Sequence, residues 1–213
     1  MIDLMIFDHD MTIVDSSRAI LAGLNLVADM VGLPRTTHDQ VIRCIALPMK
    51  EFMIGTLGEF RPEWMGLYRE KVAPLEYSMI RPFPETGPVL TRLREMGVIL
   101  AVASNRNAPQ KAMEKSDTAR YFDAILGPSG DLPYKPEPGM LLNLMDRFGV
   151  PADRTVYVGD SDIDVRTALA AQTRAIGITQ GNFTKDQLLD MGAWRVIGSL
   201  DVLPAIVEED GRG

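Results

Sequence analysis

The sequence predicts an α/β fold, a Rossmann-like parallel sheet with an inserted bundle of α-helices as a cap, and three observations carry that prediction. Short apolar runs at Ile2 to Phe7, Val98 to Ala103, Ala124 to Leu126 and Thr155 to Val158 each give way to polar residues at their C-terminal side, the pattern of parallel strands buried on both faces. Helical patterns at Val89 to Met96, Gly139 to Phe148 and Val165 to Ala171 lie between or after them, the alternation of an open sheet covered on two sides. The segment from Ser16 to Pro82 breaks this alternation. It is helical in pattern, rich in Met, Leu and Ile, and punctuated by Gly32-Leu33-Pro34, Leu47-Pro48 and Arg61-Pro62, where helices end and restart.

The division that follows is a core of residues 1–15 and 83–213 and a helical cap of residues 16–82. Pro82-Phe83-Pro84 closes the insertion, and a helix near Thr86 resumes the core. A chain of 213 residues, 46% hydrophobic and 24% charged, suits one main core with a modest insertion and is not disordered. The net charge of −7 comes without any basic run, which argues against a nucleic-acid partner. Cys44 is the sole cysteine, so an intrachain disulfide and a thiolate zinc site are both ruled out. The apolar N-terminal strand meets Asp8 and Asp10 at once, and no stretch reaches membrane-spanning length. A cytoplasmic protein, neither secreted nor inserted in a membrane, is expected. The polar tail from Glu208 to Gly213 is expected to fray.

Ligands of open α/β sheets bind outside the strand C-termini, so the polar segments there are the candidate chemistry. In Asp8-His9-Asp10-Met11-Thr12 two carboxylates leave the first strand two residues apart. They are either solvated loop acids or a nucleophile with a proton shuttle beside a divalent cation. Ser104, after Ala101-Val102-Ala103, either caps a helix starting there or holds a phosphoryl group at that helix N-terminus. Lys135 lies beside stiffening prolines in Tyr134-Lys135-Pro136-Glu137-Pro138, as a solvated turn or as a fixed cation for phosphate oxygens. Gly159-Asp160-Ser161-Asp162-Ile163-Asp164 places three acids within five positions, a density that calls for a cation or a lysine nearby. An EF-hand loop does not fit, because its twelfth position falls in an aliphatic-rich helix.

These four segments, in this order and at these strand ends, resemble the four motifs of the haloacid dehalogenase superfamily, and the insertion resembles the four-helix cap of its phosphoglycolate phosphatase-like branch. The resemblance covers essentially the whole chain. It implies a phosphatase in which Asp8 is the nucleophile and Asp10 the general acid and base, with Ser104, Asn105 and Lys135 binding the phosphoryl group. It implies Mg2+ held by Asp8, Asp160 and the backbone carbonyl of Asp10, with Asp164 as an outer acid pairing with the lysine. It implies a small phosphate monoester (phosphoglycolate, a sugar phosphate or a nucleotide) as substrate; a monomer or weak homodimer is expected. A phosphotransferase or mutase on the same scaffold is the alternative, and a non-catalytic Mg2+- or phosphate-binding protein a third. The mutase branch has a histidine near the start of the cap where this chain has Arg18-Ala19-Ile20, which favours hydrolysis.

The sequence departs from the family pattern at four places. Met11 replaces a glycine, His9 an aliphatic residue, Gln172-Thr173 a glycine-containing turn, and Ala46 a glycine in the cap stretch Ile45-Ala46-Leu47-Pro48. Since that stretch commonly reads the substrate, specificity is expected to differ from the phosphoglycolate enzymes. His9 is expected to pack away from the metal, because neighbours on an extended segment face opposite sides. Arg43, Lys50 and Arg81 are candidate cap or hinge contacts to a second anionic group, against the alternative of solvated faces.

Overall fold

The computed structural model describes residues 1–211. Six parallel strands form the main sheet: β1 (Leu4–Phe7), β4 (Ile99–Ala103), β5 (Ala124–Leu126), β6 (Thr155–Gly159), β7 (Arg174–Ile178) and β8 (Arg195–Ile197). Their order is β5-β4-β1-β6-β7-β8, so β1 pairs in parallel with β4 on one side and β6 on the other. The first strand is therefore the middle of the sheet, and the chain leaves it where the strand order reverses, the position at which such sheets bind ligands.

Alternate residues of each strand feed two cores. Met5, Phe7, Val102 and Val158 pack on one face with Leu90, Leu93 and Ile206, while Leu4, Ile6, Ala101 and Tyr157 pack on the other with Leu141, Leu144 and Val165. The helices supplying these residues are α6 (Thr86–Glu95), α7 (Pro109–Lys115) and α11 (Leu203–Asp210) on the first face, and α8 (Gly139–Phe148), α9 (Asp162–Ala170) and α10 (Lys185–Asp190) on the second. Leu4 to Phe7 are all at 0% exposure. Full burial of side chains this size contributes roughly 1.5–3 kcal/mol each, which explains why the run reads apolar without alternation.

Residues between β2 (Val14–Asp15) and β3 (Arg81–Pro82), a short antiparallel pair, form a separate helical body. Its helices are α1 (Ser17–Val31), α2 (His38–Cys44), α3 (Met49–Leu57), α4 (Trp64–Leu67) and α5 (Ala73–Met79), the last two joined by a π-helical turn at Tyr68–Val72. Leu24, Val27, Val41, Met53 and Val72 fill its own core at 0% exposure. Each interruption has a cause in the sequence: Gly32 and Gly58 end α1 and α3 with φ of 75° and 84°, and Thr37 with Gln40 forms a capping box opening α2.

The sequence reading needs three corrections. It missed β7 and β8, whose brief runs are broken by Gly177 and flanked by Arg174 and Arg195. The helix expected to start at Ser104 begins only at Pro109, so Ser104 is not a helix cap and no helix N-terminus stands there. Residues 104–108 instead turn back on the site, with the Arg106 amide donating to Ser104 Oγ at 3.2 Å. The tail expected to fray is helical through Asp210, which pairs with Arg174 at 2.5 Å and the N-terminal amine at 3.2 Å; Arg212 and Gly213 lie outside the described residues. No helix among the described residues is long and apolar enough to cross a membrane.

Candidate active site

Past Phe7 the backbone closes a tight loop: the amides of Thr12, Ile13 and Val14 donate to the His9 carbonyl at 3.4, 3.1 and 3.3 Å, and the Met11 amide to the Val14 carbonyl at 2.9 Å. This forces Met11 to φ 56°, the left-handed region, at a cost of roughly 1–2 kcal/mol for a residue with a Cβ. Burial of the Met11 side chain, 7% exposed, offsets it. The loop also turns Asp8 and Asp10 toward the C-terminal edge of the sheet, where both line one cavity of about 60 Å³.

Lys135 is the hub of the polar network. Its side chain is 3% exposed, and its ammonium donates to Asp8 Oδ1 at 2.8 Å, Asp164 Oδ1 at 2.7 Å and Tyr157 Oη at 2.8 Å. Tyr157 Oη in turn lies 2.8 Å from the Ala103 carbonyl. The other Asp164 oxygen accepts from the Ser161 amide at 3.1 Å and hydroxyl at 2.6 Å, completing the capping box of α9. Gly159 is required here, since a methyl in its place would overlap the Asp164 carboxylate. Burial alone would lower the Lys135 pKa, but Asp164 and Asp8 outweigh it and hold the ammonium above its ordinary value.

Asp8, Asp160 and Asp164 present carboxylate oxygens within 4.8 Å of one another. Protein donors occupy both Asp164 oxygens, which leaves Asp8 and Asp160 as the direct oxygen donors for a cation. Thr12 Oγ1 reaches Asp160 at 3.3 Å, and Gly181 leaves the space that the Asp160 carboxylate fills. Burial first, then Asp164 and Asp10, raise the Asp8 carboxyl to about 7 against the opposing pull of Lys135. Burial, Asp164 and Asp8 likewise push Asp160 well above its ordinary value. Two buried carboxylates so disfavoured as anions, with an oxygen-only donor set, fit a hard divalent cation that would relieve their repulsion.

Asp10 faces a different partner. Arg106 Nε and Nη2 donate to its two oxygens at 2.9 and 2.7 Å, and Nη1 reaches Glu76 of α5 at 2.5 Å. Tyr68 hydrogen-bonds the second Glu76 oxygen, and the guanidinium carbon lies 5.7 Å from the Tyr77 ring centroid. Burial works to raise the Asp10 carboxyl, but Arg106 holds it well below its usual range. Asn105 braces three segments: its Nδ2 donates to the Ala46 and Lys135 carbonyls, both at 3.2 Å, and its Oδ1 accepts from the Lys135 amide at 2.7 Å. Ser104 is 1% exposed and lines the cavity. The helical body supplies the opposite wall from Ile20, Ile45, Leu47, Met49 and Phe52.

The structure thus brings Asp8, Asp10, Ser104, Asn105, Lys135 and Asp160 around one cavity, with Asp164 behind Lys135. Arg43 and Lys50 are exposed and line no part of it; Arg43 borders a neighbouring pocket beside Asp160 and Asn182. Arg81 is exposed and donates to the carbonyls of Ser78 and Ile80 at the end of α5. His9 is fully buried, with Nδ1 3.4 Å from Asp10 Oδ1 but no hydrogen bond at either ring nitrogen. Asp162 pairs with Arg166 at 3.0 Å, turned from the site. Sequence reasoning gave no role to Arg106, Glu76, Tyr68, Tyr157 or Thr12. Arg106 was within reach of the second motif, but its partners stand 96 and 30 residues away.

A family model described as haloacid dehalogenase-like hydrolase matches residues 5–178. The chain is 32% identical over 197 residues to "Probable phosphatase IndB" of Dickeya dadantii, covering 87% of this chain and 84% of the relative. It is 27% identical over 173 residues to the phosphoglycolate phosphatase of Aquifex aeolicus, covering 80% and 81%. Among solved structures, a protein of Bacteroides fragilis described as a haloacid dehalogenase-like hydrolase superposes with a TM-score of 0.84 at 27% identity, covering 95% of this chain and all of the other. A haloacid dehalogenase-like family protein of Streptococcus pneumoniae shares the fold with a TM-score of 0.86 at 18% identity, covering 97% and 98%.

Proposed function

This chain belongs to the haloacid dehalogenase-like hydrolases, and from that premise we propose that it is a Mg2+-dependent phosphatase that hydrolyses a small phosphate monoester through an aspartyl-phosphate on Asp8. The observation that carries the reading is the Lys135 ammonium bridging Asp8 and Asp164 in a buried site, beside a second acid, Asp160, free to help Asp8 hold a cation. A bound Mg2+ would supply positive charge against the phosphate oxygens and the two carboxylates.

In the first half-reaction an Asp8 oxygen bonds to phosphorus as the ester P–O bond breaks, and the departing alkoxide takes a proton from Asp10. In the second, Asp10 removes a proton from water, which attacks the aspartyl-phosphate and returns Asp8 as a carboxylate with inorganic phosphate. Lys135 and the Ser104 hydroxyl hold the phosphoryl oxygens, and Asn105 sets the position of Lys135 through its backbone. The Arg106 contact keeps Asp10 in the base form needed for the second half; the acid form arises as the negative charge of the bound phosphoryl group raises the proton affinity of Asp10 with the guanidinium still in place. Residues 16–82 act as a cap that closes over the bound ester and excludes water.

Phosphate release from a panel of monoesters, with Mg2+ and with chelator, tests this in the native protein and in Asp8→Asn, which keeps the side-chain size. Mg2+-dependent release that disappears in Asp8→Asn is expected. Full release by the variant would remove Asp8 from the reaction, and a phosphotransferase would give no net phosphate from any member of the panel.

A further inference from the structure

Two cations line the cavity, and each is already committed. Lys135 serves Asp8 and Asp164 and, on the phosphatase reading, the phosphoryl oxygens of the substrate. Arg106 is spent on Asp10 and Glu76, at 2.7 and 2.5 Å. Glu76 is unusual in being a helix carboxylate of the capping body at 0% exposure, held in place from behind by the Tyr68 hydroxyl. Counting formal charges, one guanidinium faces two carboxylates, so this end of the cavity carries an excess negative charge. The remainder of the wall, Ile20, Ile45, Leu47, Met49 and Phe52, is apolar. A second anionic group on a substrate would meet no uncommitted cation there, and would lose its water against an apolar surface beside a like charge.

We propose that this site selects phosphate monoesters whose leaving group carries no second negative charge, and that Glu76 enforces the choice by saturating Arg106. The proposal rests on the phosphatase reading and narrows it: a neutral, small, largely apolar alcohol is released, and a carboxylated ester such as phosphoglycolate is a poor substrate. Glu76 acts here as a positioning residue, since it works through the guanidinium. Were Glu76 absent, Arg106 would have a free edge directed into the cavity and would welcome a carboxylate.

The experiment compares phosphoglycolate with its neutral amide, which has the same size, as competitors of Mg2+-dependent p-nitrophenyl phosphate hydrolysis by the full chain. The amide is expected to compete on the order of tenfold more tightly, the scale of one uncompensated partly screened charge. In Glu76→Gln, which keeps the shape, the preference should shrink or reverse while thermal melting shows the protein folded. Should that variant not fold, the native ratio decides the selectivity by itself. An amide that competes no better than the acid, including the case where neither competes, overturns the proposal and would mean that Arg106 leaves its carboxylates for the substrate. An unchanged ratio in folded Glu76→Gln removes Glu76 from the account. Absence of any Mg2+-dependent p-nitrophenyl phosphate hydrolysis is a different result: it sinks the phosphatase reading, and this inference with it.

Discussion

The raised carboxyl of Asp8 makes the stability of the metal-free protein depend on pH in an uncommon direction. Asp8 rises from 3.8 to about 7 on folding, so the folded chain binds its proton more tightly than the unfolded chain does. Stability is then greatest below about pH 4 as far as this group is concerned, and falls as pH climbs to about 7, where the loss is complete. At about 1.4 kcal/mol per tenfold change in proton affinity, the loss is on the order of 4 kcal/mol, and Asp160 adds to it with the same sign. For a chain of this size that corresponds to on the order of 10 °C in melting temperature. The carboxyls held low, Asp10, Asp29 and Asp210, work the other way but only below their ordinary pKa, outside this window. Thermal melting followed by circular dichroism in chelator, across pH 4.5 to 7.5 in steps of about half a unit, reads the effect, and the same series with Mg2+ should show stabilisation that grows toward the upper end. Asp8→Asn, which cannot ionise, removes the share of the trend that belongs to Asp8 and leaves that of Asp160. A melting temperature in chelator that rises over this range, or a slope the variant leaves intact, refutes the reasoning.

Three further outcomes follow from particular contacts. Lys135→Met strands Asp8 and Asp164, which the ammonium meets at 2.8 and 2.7 Å; urea unfolding near neutral pH should show a loss of about 3–5 kcal/mol, and a loss under about 1 kcal/mol would mean that water already reaches these carboxylates. Gln172 is exposed and held at φ 59° after α9, where its amide donates to Leu169 and that of Thr173 to Ala168. Gln172→Gly should therefore raise stability by about 0.5–1 kcal/mol in the same assay, and a decrease would show the side chain doing more than tolerating strain. Gly181→Ala sets a methyl against the Asp160 carboxylate. The Mg2+ concentration needed for half-maximal phosphatase activity should increase roughly tenfold or more, and an unchanged value would place Asp160 outside the cation site.

Much of this protein is legible in its sequence because the relevant signals are local. Leu4 to Phe7 reads as a doubly buried strand from four consecutive apolar residues, and the acids that follow it, like Ser104 and Lys135 after later strands, fall at one sheet edge by the geometry of parallel strands alone. The order of those segments was enough to identify the family, and Gly32-Leu33-Pro34 marks a helix end that depends on neighbouring residues only. What the sequence did not determine is pairing across distance. A carboxylate at position 76 in an amphipathic helix looks like any solvated glutamate, and an arginine after Ser104-Asn105 like any surface cation. Only when the helical body lies over the sheet edge do Glu76, Arg106 and Asp10 share one water-poor space. There the loss of hydration forces each charge to find a partner, and it is those partners that decide which carboxyl is held as an anion and which is pushed up to about 7. Tyr157 shows the same divide: its place in an apolar strand fixes its ring in the core, and the tertiary fold alone brings its hydroxyl to Lys135. Local patterns specify elements because they act through backbone geometry, whereas the electrostatics of the site are set by burial, which exists only in the folded chain.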